Sequence, residues 1–246
     1  AVVQRTKALR AISLVVAQDP DLFHQDNIRR SIENRMLDSS PQVRDTAIEL
    51  VGKYVVSRPD LAVQYLPRLS ERISDTGLGV RRRVIKLLRV LYHALPDDKY
   101  KVDISRKLVY RVFDEDDGIK ARLRFCPGLR ISRPRLTDCL SRTQELAVET
   151  IEEVWFGAPS KSAAQDPAAS LAQLAGIITQ TAGVFKDRPP PVDEALRLIM
   201  AKHAEKGTQP PLERLKLIME SLIDGLVEDE RGMVGPPPFA SLTLPA

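Results

Sequence analysis

Residues that could perform acid–base, metal or phosphate chemistry are few in this sequence and widely separated. The three histidines are His24, His93 and His203. They lack the short spacing of metal-ligand sets, so we expect them on the surface or at helix ends. The acid pairs Asp116-Asp117 and Glu152-Glu153 are predicted to lie in solvent, on a turn and on a helix face. We do not expect them to act as general acids or bases.

A glycine pair, Gly77 and Gly79, resembles part of a phosphate-binding loop, but the flanking sequence does not support that role. No strand signal precedes the pair and no Gly-Lys-Ser/Thr follows it. We predict instead that both glycines form the tight turn between two helices. The cysteines, Cys126 and Cys139, have no CxxC spacing, which indicates a reduced, intracellular chain. The sequence therefore predicts a binding scaffold, not an enzyme, and we expect no cofactor or metal.

Basic side chains with helical spacing are the strongest candidates for a binding function. Arg82, Lys86 and Arg89 recur at i, i+4 and i+7, and Arg83 lies alongside them. We call these four residues the basic stripe. Two interpretations remain open: a surface that contacts DNA phosphates or docks a protein partner, and an ordinary solvated helix face. No aromatic residue interleaves the stripe, so base stacking and sequence readout are not expected.

The sequence repeats itself with a period of 37 to 39 residues. Arg5-Thr6-Lys7-Ala8-Leu9 returns at Arg44-Asp45-Thr46-Ala47-Ile48, an offset of 39. The next offset, from Val43-Arg44 to Val80-Arg81, is 37, and Val80-Arg81 recurs 39 residues later at Ile119-Lys120. Helical patterning inside a period of about 40 residues is typical of HEAT and armadillo arrays. We therefore predict an all-α fold, an α-solenoid of stacked helix pairs.

Each predicted repeat consists of a helix A, a turn that contains Asp, and a helix B, after which Pro-Asp opens the next helix A. Helix B of the third repeat has one apolar face. Its residues are Val80, Val84, Leu87, Leu88 and Leu91. Since Leu88 and Val51 occupy equivalent inward positions, we expect both to be buried.

Charged residues also recur at fixed places in the repeat. The turn positions are Asp38, Asp75 and Asp114, and the helix B positions are Arg44, Arg81 and Lys120. We expect the turn Asp to cap a helix or to pair with the helix B cation of a stacked repeat, and we call this set the ladder. Its six residues are predicted to be structural and are not counted as DNA contacts.

Residues 121–144 interrupt the fourth repeat with a different composition. They include six Arg and one Asp, together with Pro and Gly that forbid a continuous helix, and the repeat pattern resumes if Lys120 is joined to Glu145. Two interpretations remain open: an irregular basic loop, or an intron retained in the gene model, since Leu136-Thr137 can be encoded by a fungal-type branch sequence. The segment contributes +5 to a net charge of +4, which leaves −1 for the remainder. The repeats themselves are therefore not predicted to be basic.

The remaining boundaries follow from composition. We place the HEAT repeats at residues 1–156, a linker at 157–167 and further helices of a C-terminal region at 168–230. Residues 231–246 are rich in Pro and are expected to be disordered.

The repeats resemble those of the Nipped-B/adherin cohesin loaders, and we expect a fungal member. The similar runs are SPQVRDTAIELVGKYV at 40–55, ERISDTGLGVRRRVIK at 71–86, DDGIK at 116–120 and the closing Trp155-Phe156. Together these runs lie within residues 1–156, and the likeness is weak beyond Phe156.

The resemblance implies a nuclear HEAT-repeat scaffold that loads cohesin onto chromatin for sister chromatid cohesion. It implies binding to double-stranded DNA, to the cohesin kleisin and to the SMC heads, whose ATPase the loader would stimulate. A small partner subunit would bind a region outside this chain. Under this interpretation the basic stripe contacts DNA or cohesin. The alternative is a generic HEAT-repeat adaptor that binds only protein.

Overall fold

The computed structural model describes residues 1–56, 58–113, 141–157, 167–185, 191–208 and 211–230. These residues form α-helices and short 3-10 helices and contain no strand, in agreement with the all-α prediction. The chain divides into two compact units, unit 1 at residues 1–96 and unit 2 at residues 97–246. None of the described helices has the length and apolarity needed to cross a membrane.

Unit 1 contains three B helices and two A helices. The B helices are α1 (Val2–Gln18), α3 (Pro41–Val55) and α5 (Leu78–Ala94). The A helices are α2 (Asp26–Met36), preceded by the 3-10 helix Pro20–His24, and α4 (Pro59–Glu71), followed by the 3-10 helix Arg72–Ser74. Successive B helices pack against each other, and the A helices pack against α3 and α5. Proline opens three of these elements, because its missing N–H leaves no helical hydrogen bond unmade at that position.

The apolar face predicted for the third helix B is the buried face of α5. Val84 and Leu88 have no exposed surface, and Val80 is only 1% exposed. Val51, the equivalent of Leu88 on α3, is also fully buried. The predicted helical phase and the predicted repeat equivalence are therefore confirmed.

The two glycines predicted to share one tight turn have different roles. Gly77 is the N-cap residue of α5 with φ −83°, and a Cβ there would lie 2.8 Å from the Cβ of Pro41 in the neighbouring repeat. Gly79 lies in the first turn of α5, and no atom lies within 4 Å of the place a Cβ would take. Gly77 is therefore required by the close approach of two turns, and Gly79 is not.

The difference between the two glycines predicts opposite effects of the same substitution. Gly77→Ala should destabilise the chain by about 1–3 kcal/mol, since backbone must shift to admit the methyl group. Gly79→Ala should stabilise it by about 0.5–1 kcal/mol, because alanine loses less entropy in a helix. Urea denaturation followed by circular dichroism measures both. Equal effects would mean that the contact with Pro41 does not limit the packing of the two turns.

The described residues of unit 2 form a fourth helix pair and three further helices. Their bounds are α6 (Asp98–Phe113), α7 (Arg142–Phe156), α8 (Pro167–Val184), α9 (Pro191–Lys206) and α10 (Leu212–Glu230). Helix α6 packs against α7, α8 and α9, and α8 packs against α10. Trp155 of α7 is fully buried, and its Nε1 donates to Ser105 Oγ of α6 at 3.2 Å. The fourth A and B helices thus form the centre of the unit.

The start of α7 corrects the boundary expected for the inserted segment. Residues 142–144, assigned to an irregular stretch, form the first turn of α7 and follow its N-cap Ser141. Ser141 Oγ accepts from the Gln144 backbone N–H at 3.3 Å, and Gln144 Oε1 accepts from the Ser141 N–H at 2.8 Å. This capping box is visible in the sequence as Ser-x-x-Gln and was missed. Residues 114–140, residues 158–166 of the predicted linker and the tail 231–246 lie outside the described residues.

Candidate interaction surface

The ladder joins neighbouring repeats through a buried ion pair. Arg44 of α3 donates from Nε to Asp75 Oδ2 at 2.8 Å and from Nη2 to Asp75 Oδ1 at 2.6 Å. Both residues are largely buried, with 6% of Arg44 and 5% of Asp75 exposed. Arg44 Nη1 also donates to the Asp38 carbonyl at 2.7 Å, and the Gly77 N–H donates to Asp75 Oδ1 at 2.7 Å. A bidentate pair with these additional hydrogen bonds fixes the turn of one repeat against helix B of the repeat before it.

The same arrangement recurs one repeat earlier around Asp38. Arg5 of α1 donates from Nη2 to Asp38 Oδ1 at 2.9 Å, and its Nε lies 2.8 Å from Asp38 Oδ2. The Ser40 backbone N–H donates to the same carboxylate at 2.9 Å, and Arg35 Nη1 lies 3.1 Å from it. The Ser40 N–H and the two guanidinium groups lower the pKa of Asp38 to about 2, although burial opposes the shift.

The lowered pKa makes stability depend on pH. The pKa of Asp38 lies below its ordinary value of 3.8, so its stabilisation is complete above about pH 4 and is lost as the pH falls towards about 2. We expect a loss of order 1 kcal/mol across that window. Urea titrations at several pH values should show a shallower acid slope for Asp38→Asn than for the wild type. Parallel slopes would mean that Asp38 is not held ionised by its partners.

The structure extends the ladder beyond the residues that the sequence suggested. Arg5 was not assigned to it, although its alignment with Arg44 was the available signal. Arg81 Nη1 donates to the Asp75 carbonyl at 2.9 Å, whereas Asp114 and Lys120 lie outside the described residues. In α7 the register position of Arg81 is taken by Gln144, whose Nε2 donates to the Val112 carbonyl of α6 at 2.9 Å. A neutral amide therefore makes the contact with helix A at this position in the fourth repeat.

The four residues of the basic stripe do not form one equivalent set. Arg83 Nε and Nη2 donate to the two carboxylate oxygens of Asp45 on α3 at 2.6 and 2.8 Å, and Glu49 lies 3.5 Å from Nη2. The hydrogen bonds that Arg83 donates to Asp45 raise the pKa of its guanidinium further. Arg83 is thus a second contact between repeats, a role that sequence reasoning missed.

Arg82 and Lys86 are the members of the stripe that remain accessible. Lys86 is exposed and Arg82 half-exposed, and among the described residues neither has a carboxylate within ion-pair distance. Arg89 is half-exposed on the same face and has interactions of its own. The repeat offsets place Asp45 and Glu49 of α3 at the positions equivalent to Arg82 and Lys86. The exposed face of the B helices therefore changes sign between α3 and α5.

The distribution of charge along the chain corrects an expectation from composition. Unit 1 holds 16 Lys and Arg against 10 Asp and Glu, a net charge of +6, whereas residues 145–246 hold 9 against 15, a net charge of −6. The expectation that the repeats are not basic is therefore wrong for unit 1. The net charge of −1 for the chain without residues 121–144 is close to zero because the positive charge of unit 1 and the negative charge of residues 145–246 cancel. On α1, the exposed residues Lys7 and Arg10 add to the basic B-helix surface of unit 1.

Histidine and glutamate form a structural contact in unit 2. His203 Nε2 lies 2.7 Å from Glu152 Oε1, and Lys202 Nζ donates to Glu152 Oε2 at 2.8 Å. Burial alone would raise the pKa of Glu152, but the hydrogen bonds from Lys202 and His203 outweigh it and lower that pKa. Glu152 was expected to be a solvated acid and instead joins α7 to α9. His24 and His93 lie at the surface, and no metal-binding group of three side chains occurs among the described residues.

Similarity to known proteins identifies these repeats. A family model described as a HEAT repeat associated with sister chromatid cohesion matches residues 10–51. The Nipped-B-like protein of Homo sapiens is 32% identical over 228 residues, which is 93% of this chain. Nipped-B-like protein A of Danio rerio is 43% identical over 120 residues, which is 49% of this chain. The chain belongs to the Nipped-B family.

This Nipped-B family chain matches only a small part of its relatives. It spans 7% of the human protein and 5% of the Danio rerio protein. The solved Chaetomium thermophilum cohesin loader SCC2, C-terminal fragment, matches 89% of this chain and 14% of its own length, with a TM-score of 0.66 and 24% identity. That structural likeness supports the fold, a HEAT-type α-solenoid of stacked helix pairs.

Proposed function

We propose that this chain is part of a nuclear scaffold that loads cohesin onto chromatin for sister chromatid cohesion. The names of its relatives support this role. One relative is the Schizosaccharomyces pombe sister chromatid cohesion protein mis4, which is 30% identical over 63% of this chain. In this proposal the chain is a binding scaffold without catalytic residues of its own, since the candidate acids Asp38, Asp75 and Glu152 are held by neighbouring cations.

The proposed partners are anionic or are parts of cohesin. The chain contacts the backbone of double-stranded DNA, the cohesin kleisin and the SMC heads, whose ATPase the loader stimulates. A small loader subunit binds elsewhere in the whole protein.

The observation that carries the DNA contact is the charge of unit 1. Its net charge of +6 includes the exposed or half-exposed cations Lys7, Arg10, Arg82 and Lys86, all on B helices. Cations spread over one surface attract a phosphate backbone through counterion release and do not select a base sequence.

Salt-dependent DNA binding tests this proposal. Each lost phosphate contact flattens the slope of log affinity against log salt by about 0.9. Changing Lys7, Arg10, Arg82 and Lys86 to Glu in the full chain should therefore flatten the slope for every sequence alike. It should also reduce capture of purified kleisin and SMC heads. The control is Arg30→Glu with Arg68→Glu on the exposed sides of the A helices, where the change per charge should be smaller. Unchanged slope and unchanged capture would contradict the proposal.

A second function, a HEAT adaptor that binds only protein, is favoured by one observation. Asp45 and Glu49 on α3 present carboxylates to Arg83 of α5, the neighbour in sequence of the accessible Arg82. A B-helix surface that binds phosphates along its whole length would not carry acidic residues at equivalent positions of adjacent helices. Loss of cohesin capture with unchanged DNA binding in the substituted chain supports this alternative.

A further inference from the structure

We infer that the exposed face of α5, although its charge helps to attract DNA to unit 1, directly docks an acidic protein segment one helix wide. The inference rests on the proposed scaffold function and names the kind of partner that this face takes. The recognising cations are Arg82 and Lys86, and the apolar side chains Leu78 and Val90 lie on the same exposed side of the helix.

The neighbouring helix limits the width of the partner. Asp45 is held in place beside α5 by its two short hydrogen bonds to Arg83. Glu49 stands one turn further along α3, 45% exposed and 3.5 Å from Arg83. Packed helices are separated by about 8–10 Å, which is close to the screening length of about 8 Å at physiological salt. An anionic partner that extends from α5 across α3 therefore meets the exposed carboxylate of Glu49 next to Asp45, whose charge is already paired with Arg83.

A duplex meets this obstacle, whereas a single helix or extended segment does not. The phosphates of B-DNA border grooves of about 12 and 6 Å. A duplex laid on α5 therefore brings phosphates over α3 as well. A single acidic segment can follow α5 alone. Carboxylates at i and i+4 on a partner helix are spaced by about 6 Å along the axis, the same spacing as Arg82 and Lys86.

Apolar exposure on the same face favours protein over nucleic acid. Leu78 is 44% exposed and Val90 is 37% exposed. Leu78, Arg82, Lys86 and Val90 recur every four residues and form one row, so the two aliphatic side chains lie at its two ends. Cations bordered by aliphatic side chains complement a segment whose carboxylates alternate with apolar residues. The phosphate backbone has no apolar group to place against Leu78 and Val90.

Two probes and two matched double variants distinguish the possible partners. The probes are a short DNA duplex and a helical peptide with Glu at i, i+4 and i+7 flanked by Leu, and fluorescence anisotropy on the full chain measures binding of each. The first variant is Arg82→Glu with Lys86→Glu on α5. The control is Lys7→Glu with Arg10→Glu on α1, which changes the net charge of unit 1 by the same amount. Thermal unfolding followed by circular dichroism checks that both variants fold.

The inference predicts a selective loss. The α5 variant should bind the peptide about tenfold more weakly, because two exposed ion pairs are lost and both charges are reversed. The α1 variant should change peptide binding little. Duplex affinity should fall by similar factors in both variants. Leu78→Ala with Val90→Ala should weaken the peptide and leave the duplex unaffected.

Two results would overturn the inference. One is equal loss of peptide binding in the α1 and α5 variants, which indicates attraction to net charge alone. The other is loss of duplex binding in the α5 variant only, which assigns this face to DNA. The second result is compatible with the proposed scaffold function. If neither variant alters binding of the duplex or of cohesin, the basic surface takes no part in that function.

Discussion

Arg44→Ala is expected to destabilise the chain by about 3–5 kcal/mol, because it leaves the buried carboxylate of Asp75 without its bidentate partner. Asp75 would keep only the Gly77 N–H at 2.7 Å and a distant Arg72, 3.7 Å away. The free energy of unfolding, from urea denaturation of the wild type and the variant, measures this loss. The free energy of DNA binding should change by less than the free energy of unfolding, because Arg44 is largely buried.

Arg83→Ala is the matched control for the buried pair. It also removes an arginine from a bidentate pair with an Asp of a neighbouring helix, but 38% of its side chain is exposed. An exposed pair contributes about 0.2–1 kcal/mol. If Arg44→Ala costs no more than Arg83→Ala, the ladder does not lock the repeats together, and the turn Asp is better described as a helix cap.

Leu88→Ala is expected to cost about 2–5 kcal/mol, the range for deleting a fully buried leucine. Leu88 lies in the middle of α5 with no exposed surface. The loss combines the transfer free energy of the removed methyl groups with the cavity that remains between packed helices. Urea denaturation again provides the measurement.

Leu78→Ala is the control for Leu88→Ala, because it makes the same change in the same helix at a position that is 44% exposed. A surface substitution of this kind usually changes stability by about 0.5 kcal/mol or less. A loss below about 1 kcal/mol for Leu88→Ala would show that the neighbouring helices relax and fill the cavity left by the leucine.

The helix pairs and their inward faces could be predicted because both depend on periodicity. A helix of 3.6 residues per turn places Val84 and Leu88 on one face wherever it packs, and burial of that face drives stacking of the repeats. The recurrence of Asp38 and Asp75 at equal places in the repeat likewise identified the turn side of the ladder. Local capping was also encoded in the sequence, although the box formed by Ser141 and Gln144 was overlooked.

The availability of charges could not be predicted in this way. Arg82 and Arg83 are adjacent in sequence and identical in type, yet only Arg83 is held by a carboxylate of the neighbouring helix. Glu152 had the appearance of a solvated acid until α9 placed Lys202 and His203 against it. In each case the deciding partner lies between 38 and 51 residues away along the chain.

The sequence by itself therefore determined the all-α repeat, the phase of α5 with its equivalent position on α3, and the family. These follow from apolar periodicity and from runs of similar residues, which can be recognised without knowing which side chains are close in space. Only the tertiary structure decided that Arg5 belongs to the ladder, that Arg83 forms an ion pair between repeats and that Arg82 and Lys86 stay accessible. The physical reason is that an ion pair requires two atoms within a few ångströms of each other. Which side chains meet at that distance is set by the packing of neighbouring helices.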